Sequence, residues 1–320
     1  MSAKKLKIDA FFSGVGGIEL GFKQTSHYQV IYANEFDKYA AKTYQLNNPN
    51  VNLDTRDIHE INPNEIPDCD LIVGGFPCQS FSIAGYRKGF KDPRGTLFFE
   101  MLRMIQTKQP KVVFMENVKN LVTHDNGNTF KVIKEALEQN DYYVKYKVLN
   151  AKDYGNIPQN RERIYIVAFK NKHVYDNFIF PKPIKLTKTV YDVIDFKQTA
   201  DEKYYYTKTY KRYDLLKNSI IQSGEIYQLR RVYVRQNKSH VVPTLTASMG
   251  TGGNNVPLIL TNDKRIRKLT PRECFNVQGY PADFKLPKKL SNSRLYKQAG
   301  NSVAVPVIKR IAQQIFEALN

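Results

Sequence analysis

Cys78 is the side chain best placed to act as a nucleophile. It follows Gly74-Gly75-Phe76-Pro77 and precedes Gln79-Ser80, and the apolar run Leu71-Ile72-Val73 leads into it. A short apolar run ending in two glycines predicts a buried strand that stops abruptly. That places a proline and then a cysteine at the mouth of a sheet, where ligands of open α/β folds bind. The blander role, a small buried hydrophobe, is common for cysteine, yet it needs neither paired glycines before it nor a polar run after. Glu116 is the second candidate. It closes another apolar run, Val112-Val113-Phe114-Met115, so its carboxylate is expected at the same rim. The third is Gln159-Asn160-Arg161-Glu162-Arg163. Arginines at i and i+2 on an extended segment point the same way, as a clamp on an acceptor-rich group requires. A solvated charged turn is the alternative.

The elements that must position these groups begin with a strand at Lys7–Phe12. The turn Ser13-Gly14-Val15-Gly16-Gly17 follows, and a helix opens at Ile18-Glu19-Leu20. Strand, glycine turn and helix form the nucleotide-binding arrangement of α/β folds. The third glycine of G-x-G-x-x-G is here Glu19, and a carboxylate at a helix N-terminus is unfavourable for a pyrophosphate. The loop therefore favours an adenosine-type ligand over a dinucleotide. A second strand, Val30–Ala33, ends at Asn34-Glu35-Phe36-Asp37. Glu35 lies where an acid holds ribose hydroxyls in such folds, and Asp37 suits the start of the next helix. Asp57-Ile58, after a third short strand, could reach a base edge or be an ordinary turn.

The basic stretch from Ser80 to Gly95 carries Arg87, Lys88, Lys91 and Arg94, as a lid over a polyanion would. Thr96 is expected to cap a helix through Ile105. A further helix is expected over about Asn128–Gln139, then strands over Tyr142–Leu149 and Ile164–Phe169. Pro181-Lys182-Pro183 marks a boundary. Beyond it tyrosines (204–206, 210, 213, 227, 233) interleave with lysines and arginines, and between 203 and 240 only Asp214 and Glu225 oppose them. Such a composition with turn signals fits a small β-rich nucleic-acid-binding domain. The loop Met249–Asn255 fits close backbone approach in a DNA groove, or else a surface hairpin. Thr270, Pro271 and Glu273 form a helix start as N-cap, N1 and N3. A last helix over about Pro306–Leu319 is expected to return to the first domain.

Composition narrows the class. The chain has 320 residues, 42% of them hydrophobic, enough for a sizeable core. Its 49 lysines and arginines against 30 acids give a net charge of +19, which implies a polyanionic partner or simply a lysine-rich proteome. Three scattered cysteines make neither a disulfide framework nor a zinc site. A reducing, cytoplasmic setting is expected, with no signal peptide, no membrane span, no metal and a monomeric chain.

Taken together these residues resemble the DNA (cytosine-5) methyltransferases of restriction–modification systems over nearly the whole chain. The resemblance rests on Phe12-Ser13-Gly14-Val15-Gly16-Gly17, Asn34-Glu35, Pro77-Cys78-Gln79, Glu116-Asn117-Val118, Gln159-x-Arg161-x-Arg163, Leu269-Thr270-Pro271-Arg272-Glu273-Cys274 and Gly300-Asn301-Ser302-Val303, in the family's order. It implies an α/β, Rossmann-like S-adenosylmethionine-dependent catalytic domain over 1–184, completed by a C-terminal helix at 300–320. A smaller, β-rich target-recognition domain and hinge would span 185–299. The resemblance implies S-adenosylmethionine, leaving as S-adenosylhomocysteine, with Phe12 and Phe36 against adenine beside Gly14, Gly16 and Gly17. Glu35 would hold the ribose, Asp57 and Ile58 would lie near the adenine edge, and Pro77, Asn301 and Val303 would complete the pocket. It implies addition of Cys78 to carbon 6 of a flipped-out cytosine, protonated Glu116 at N3, Arg163 at O2 and Arg161 in support. Double-stranded DNA is the implied partner, met by Gln79, Ser80 and Arg94, and a cognate restriction endonuclease the implied counterpart. The segment from about Lys185 to Arg265 departs from the pattern, so its target sequence is not carried over. Arg230, Arg231, Arg235, Thr251 and Gly252 are expected nearest the bases. A tRNA cytosine-5 methyltransferase or a non-enzymatic DNA-binding protein are the rivals. The first lacks a reason for the large basic domain, the second for Cys78, Glu116 and Arg163 together.

Overall fold

The computed structural model describes residues 5–76, 97–197, 200–251 and 256–320. Contacts divide the chain into two units. One comprises Met1–Leu149, Glu162–Lys182 and Val307–Asn320; the other comprises Asn150–Arg161 and Pro183–Pro306. The division thus falls within Pro181-Lys182-Pro183. It assigns 150–161 and 300–306 to the second unit, where the sequence reading had put both with the catalytic domain.

The first unit is built on a seven-stranded mixed sheet in the order β3-β2-β1-β4-β5-β8-β6. These strands are β1 (Leu6–Phe11), β2 (Tyr28–Asn34), β3 (Asn52–Asp54), β4 (Leu71–Gly74), β5 (Val112–Val118), β6 (Tyr143–Asn150) and β8 (Glu162–Phe169). β1 to β5 run parallel in their pairs, and β8 joins β5 antiparallel. Every residue of β4 and the first six of β5 are buried, the mark of strands covered on both faces. The helix Leu97–Lys108 turns Phe98, Met101, Leu102 and Ile105 inward onto Ile72, Val113 and Ile166. The C-terminal helix, Val305–Leu319, returns to this unit from residue 307, and the Tyr28 hydroxyl donates to the Ala312 carbonyl at 2.7 Å.

Order and register together explain where a site forms. The strand order reverses between β1 and β4, and at such a switch point the connections diverge and leave a crevice. Phe11 is opposite Asn34 and Gly74, Asn34 is opposite Asp54, and Gly74 is opposite Met115. Four strands, β1 to β4, therefore end on one row, level with Met115 of β5, which runs on to Val118. The segments that follow them, 12–17, 35–36, 55–58 and 75–76, leave from that rim, beside residues 116–118 at the end of β5.

The second unit holds a four-stranded sheet, β10-β9-β12-β13, formed by β9 (Tyr227–Leu229), β10 (Val234–Gln236), β12 (Leu258–Leu260) and β13 (Ile266–Lys268). All three pairings are antiparallel. A short parallel pair joins β7 (Gln159–Asn160) to β11 (Val242–Pro243). The core gathers Leu216, Ile220, Tyr227, Leu229, Leu258, Leu260 and Ile266. Arg267 is buried, but its guanidinium meets Glu273 at 2.7 and 2.8 Å and the Asp195 carbonyl at 2.8 Å. Glu273 also closes the capping box on Thr270 at the start of helix Pro271–Val277, as its spacing predicts.

Candidate active site

The glycine turn is shaped by backbone conformation. Phe12, Gly14 and Gly16 all have positive φ (54°, 56° and 86°), so the chain reverses sharply before the helix Gly17–Lys23. The Ser13 amide donates to the Asn34 carbonyl at 3.1 Å, fastening the turn to the end of β2. Glu35 reaches across it. Its carboxylate accepts from the Gly14 amide at 2.6 Å and from the Asp37 amide at 2.7 Å. A Cβ on Gly14 would meet nothing within 4 Å, so open space lies against the turn. Phe36 stands 67% exposed at the same rim, an unusual position for a large apolar ring in a folded domain. Asp37 caps the helix Lys38–Asn47 as its position predicts.

Asp57 accepts from the His59 amide at 3.1 Å and lies 2.6 Å from the His59 ring. Those contacts, the backbone amide foremost, hold its carboxyl below the usual range. Ile58 packs into the core, and its carbonyl accepts from Arg103 at 2.9 Å.

Glu116 is 8% exposed, near the end of β5. Its Oε1 lies 3.2 Å from Nε of Arg163, and its Oε2 would lie 3.5 Å from a Cβ on Gly75. Gly75 stands three residues before Cys78. Pro77, Cys78, Gln79, Ser80, Arg94 and Thr96, with the whole stretch 80–95 expected as a lid, lie outside the described residues, as does Gly252.

The two arginines do not form the clamp that their spacing suggests. Arg163 serves the first unit, paired with Glu116 and donating to the Glu162 carbonyl at 2.8 Å. Arg161 is 3% exposed in the second unit and donates to the carbonyls of Leu245 (2.9 Å), Gly300 (3.3 Å) and Ser302. The alternation rule fails because residue 161 sits between β7 and β8 rather than inside one continuous strand.

Asn301 ends the helix Asn292–Asn301 at the surface of the second unit, and Val303 is buried there. In the β9–β10 hairpin Arg231 and Arg235 are exposed, while Arg230 is half-buried and donates to Gln228 Oε1 at 3.0 Å. Thr251 is exposed, and its hydroxyl donates to the Ser248 carbonyl at 2.8 Å. The interleaved tyrosines are mostly not a stacking surface. Tyr205 and Tyr227 are buried, and Tyr206 and Tyr210 pack on the core; Tyr233 at the hairpin is 53% exposed.

Three supporting residues make contacts that the sequence motifs do not give. Asn34 donates to the carbonyls of Asp54 and Arg56 at 3.1 and 3.0 Å, closing β3 onto β2. Asn117 donates to the Phe76 carbonyl at 2.9 Å, one residue before Pro77. Arg103 binds the carbonyls of Ile58 and Ile61. The signal was there for the two amides. An asparagine beside an acid at the end of a buried strand must find a partner, and the nearest are loop carbonyls.

The family described as C-5 cytosine-specific DNA methylase matches residues 6–317. The type II methyltransferase M.Bsp6I of Bacillus sp. (strain RFL6) is 59% identical, over 98% of this chain and 99% of its own length. M.HhaI of Haemophilus parahaemolyticus is 42% identical, over 98% of this chain and 95% of its own. Among solved structures, a mutant of DNMT2 from Spodoptera frugiperda superposes with a TM-score of 0.75, covering 98% of this chain and 100% of its own. At 20% identity that likeness speaks for the fold alone. Among the described residues no helix is long and apolar enough to cross a membrane. With the mixed sheet, the separate antiparallel sheet and full-length relatives in agreement, the chain belongs to the C-5 cytosine-specific DNA methylases and is a type II DNA (cytosine-5)-methyltransferase of the restriction–modification kind.

Proposed function

We propose that the rim of the first unit binds S-adenosylmethionine and cytosine side by side, and that Cys78, Glu116 and Arg163 carry the reaction. The observation that carries this reading is the shared row of strand ends, which sets the Glu35 loop, Gly75 and Glu116 on one edge. The residues suit this cofactor. Glu35, fixed by two amides, presents a carboxylate to ribose hydroxyls, and Phe12 and exposed Phe36 offer apolar faces to adenine. Gly14, Gly16 and Gly17 admit the close approach of a nucleoside. The acids Glu19 and Glu35 disfavour a pyrophosphate but not a cationic ligand. Asp57 and Ile58 border the adenine side, and the family resemblance would add Pro77, Asn301 and Val303 as cofactor contacts.

Bound S-adenosylmethionine supplies an electrophilic methyl group. The chain's own work is to make carbon 5 of cytosine nucleophilic. The Cys78 thiolate adds to carbon 6, and charge develops on the ring. Glu116 carries a proton toward N3 and Arg163 hydrogen-bonds O2, stabilising that charge. Once carbon 5 has taken up the methyl group, its proton passes to a base and the carbon 6–sulfur bond breaks, releasing Cys78 as the thiolate. A base inside a duplex is out of reach, so the cytosine must flip out. Arg161 acts at one remove, holding the Gly300–Ser302 turn that carries Asn301. Gln79, Ser80 and Arg94 meet the DNA around the flipped base. The second unit reads the duplex through Arg231, Arg235, Thr251 and Gly252, with Arg230 holding the hairpin through Gln228. The enzyme acts as a monomer in the bacterial cytoplasm and protects DNA from a cognate endonuclease.

Duplex DNA carrying 5-fluorocytosine at the target tests the scheme, because fluorine cannot leave as the proton does. Wild-type enzyme should form a denaturation-resistant adduct only with S-adenosylmethionine present, and Cys78→Ala none. An adduct persisting in Cys78→Ala would remove this cysteine from the mechanism.

A further inference from the structure

In the scheme above Glu19 contributes only charge beside the glycine turn and takes no step. It lies in the first turn of the helix Gly17–Lys23 and is 1% exposed. Facing it are the Ser13 hydroxyl of the glycine turn, the Glu35 carboxylate at the end of β2, Tyr44 of the helix Lys38–Asn47, and Lys23 one turn along. None of these neutralises it in close contact. Lys23 directs its ammonium to Asn48 Oδ1 at 2.9 Å, Glu35 carries like charge, and Tyr44 and Ser13 are uncharged. Burial raises the Glu19 carboxyl to about 7, with Glu35 adding to the rise and Ser13 opposing it. A buried acid without a cation is costly where it has no use.

The two ligands of this site differ in one respect that such a group can sense. The methyl donor is a sulfonium cation and its product a neutral thioether, while the adenosine and amino-acid parts are the same. Shape cannot separate them well, because a single methyl is a small difference. Charge can, since a carboxylate in apolar surroundings acts at longer range than one in water. Glu35 is already fixed by two amides for another task. We propose that Glu19 is the charge-selecting residue of the cofactor site: ionised, it favours the sulfonium donor over the thioether product, and protonated, it loses that preference. The inference rests on the cofactor reading above.

Linkage gives the sign. A bound cation stabilises ionised Glu19, so donor binding near neutral pH releases a proton that product binding does not. The preference for donor over product should be weak below pH 7 and should strengthen as pH rises through it. Calorimetric titration of the wild-type protein with S-adenosylmethionine and S-adenosylhomocysteine, from pH 5.5 to 8.5 in buffers of different ionisation enthalpy, reads both effects. The affinity ratio should rise by roughly tenfold across the range, within the usual span of coupling between sites. Glu19→Gln should bind both ligands with a pH-independent ratio and no excess proton release. Ser13→Ala should shift the wild-type midpoint upward, and it serves as the second variant if Glu19→Gln does not fold. A flat wild-type ratio, or an unchanged slope in Glu19→Gln, overturns the proposal while leaving the cofactor reading intact. Failure of both ligands to bind the wild type overturns the cofactor reading and this inference with it.

Discussion

Glu116 and Asp9 are both acids of the central sheet, and their surroundings give them opposite functions. Glu116 lies at the rim against Arg163, where a carboxyl can meet a ligand. Glu116→Gln keeps the shape but cannot deliver the proton. It should leave DNA and cofactor binding near wild type and slow single-turnover methylation by roughly 10²–10⁴-fold; a near-normal rate would make Glu116 structural. Asp9 lies inside β1 with no exposure, beside a register shift in its pairing with β2. Burial pushes its carboxyl up to about 7, against the Cys69 thiol and Lys108, which lower it. Its folded-state pKa exceeds the unfolded one, so the fold prefers it protonated. Stability is therefore lost as pH rises from about 4 to about 7, by up to about 4 kcal/mol at one unit per 1.36 kcal/mol. Asp9→Asn should raise the melting temperature at pH 8 and flatten the pH dependence between 5 and 8; an unchanged profile would show that Asp9 is paired when ionised. Glu116 was legible in the sequence because it ends an apolar run. Asp9 was not, since nothing local distinguishes a buried acid in a strand from an exposed one.

Elements were easier to read than the partners of their side chains. The strands ending at Phe11, Asn34, Gly74 and Val118 and the capped helix at Thr270 follow from apolar runs, glycines and capping chemistry. The interleaved tyrosines do not all face outward, because ring chemistry is the same in a core as on a stacking surface, and Tyr205 and Tyr227 went inward. Arg161 misled because its partners are carbonyls at 245, 300 and 302, far away in sequence. Those contacts make a specific claim about the turn carrying Asn301. A Cβ on Gly300 would fall on the Thr246 carbonyl, and backbone cannot yield as a side chain can. Gly300→Ala should therefore cost at least the 1–3 kcal/mol usual for overpacking. Arg161→Ala should cost a similar amount by leaving buried carbonyls unpaired. Chemical denaturation followed in the second unit checks both. If Gly300→Ala unfolds at the wild-type midpoint, the close approach of 246 and 300 is not present in solution.

At the scale of the molecule the open question is how a net charge of +19 becomes selective for one sequence. Charge alone supplies affinity, because each phosphate contact releases counterions and weakens with salt regardless of sequence. Selectivity needs groups that reach base edges, and arginine is the commonest reader of guanine in the major groove, at about 1–3 kcal/mol per good pair. In the second unit these two tasks fall on different residues. Lys208 and Lys211 are exposed and precede the helix Tyr213–Ser219, whereas Arg231 and Arg235 are exposed on the β9–β10 hairpin. Arg230, tied to Gln228, is better suited to holding that hairpin than to reading from it. Alanine at Arg231 or Arg235 should thus relax specificity at one base pair, while alanine at Lys208 or Lys211 should weaken all sites alike and reduce the salt slope by about one. The stronger test moves the whole segment 185–265 into a related cytosine-5 methyltransferase and maps the methylated cytosines. An active chimera should abandon its host's site for that of this enzyme, with methylation lost at the old sites and gained at the new. A chimera that methylates only the host's site would place target recognition outside this segment, and the hairpin arginines would then be phosphate contacts like the lysines.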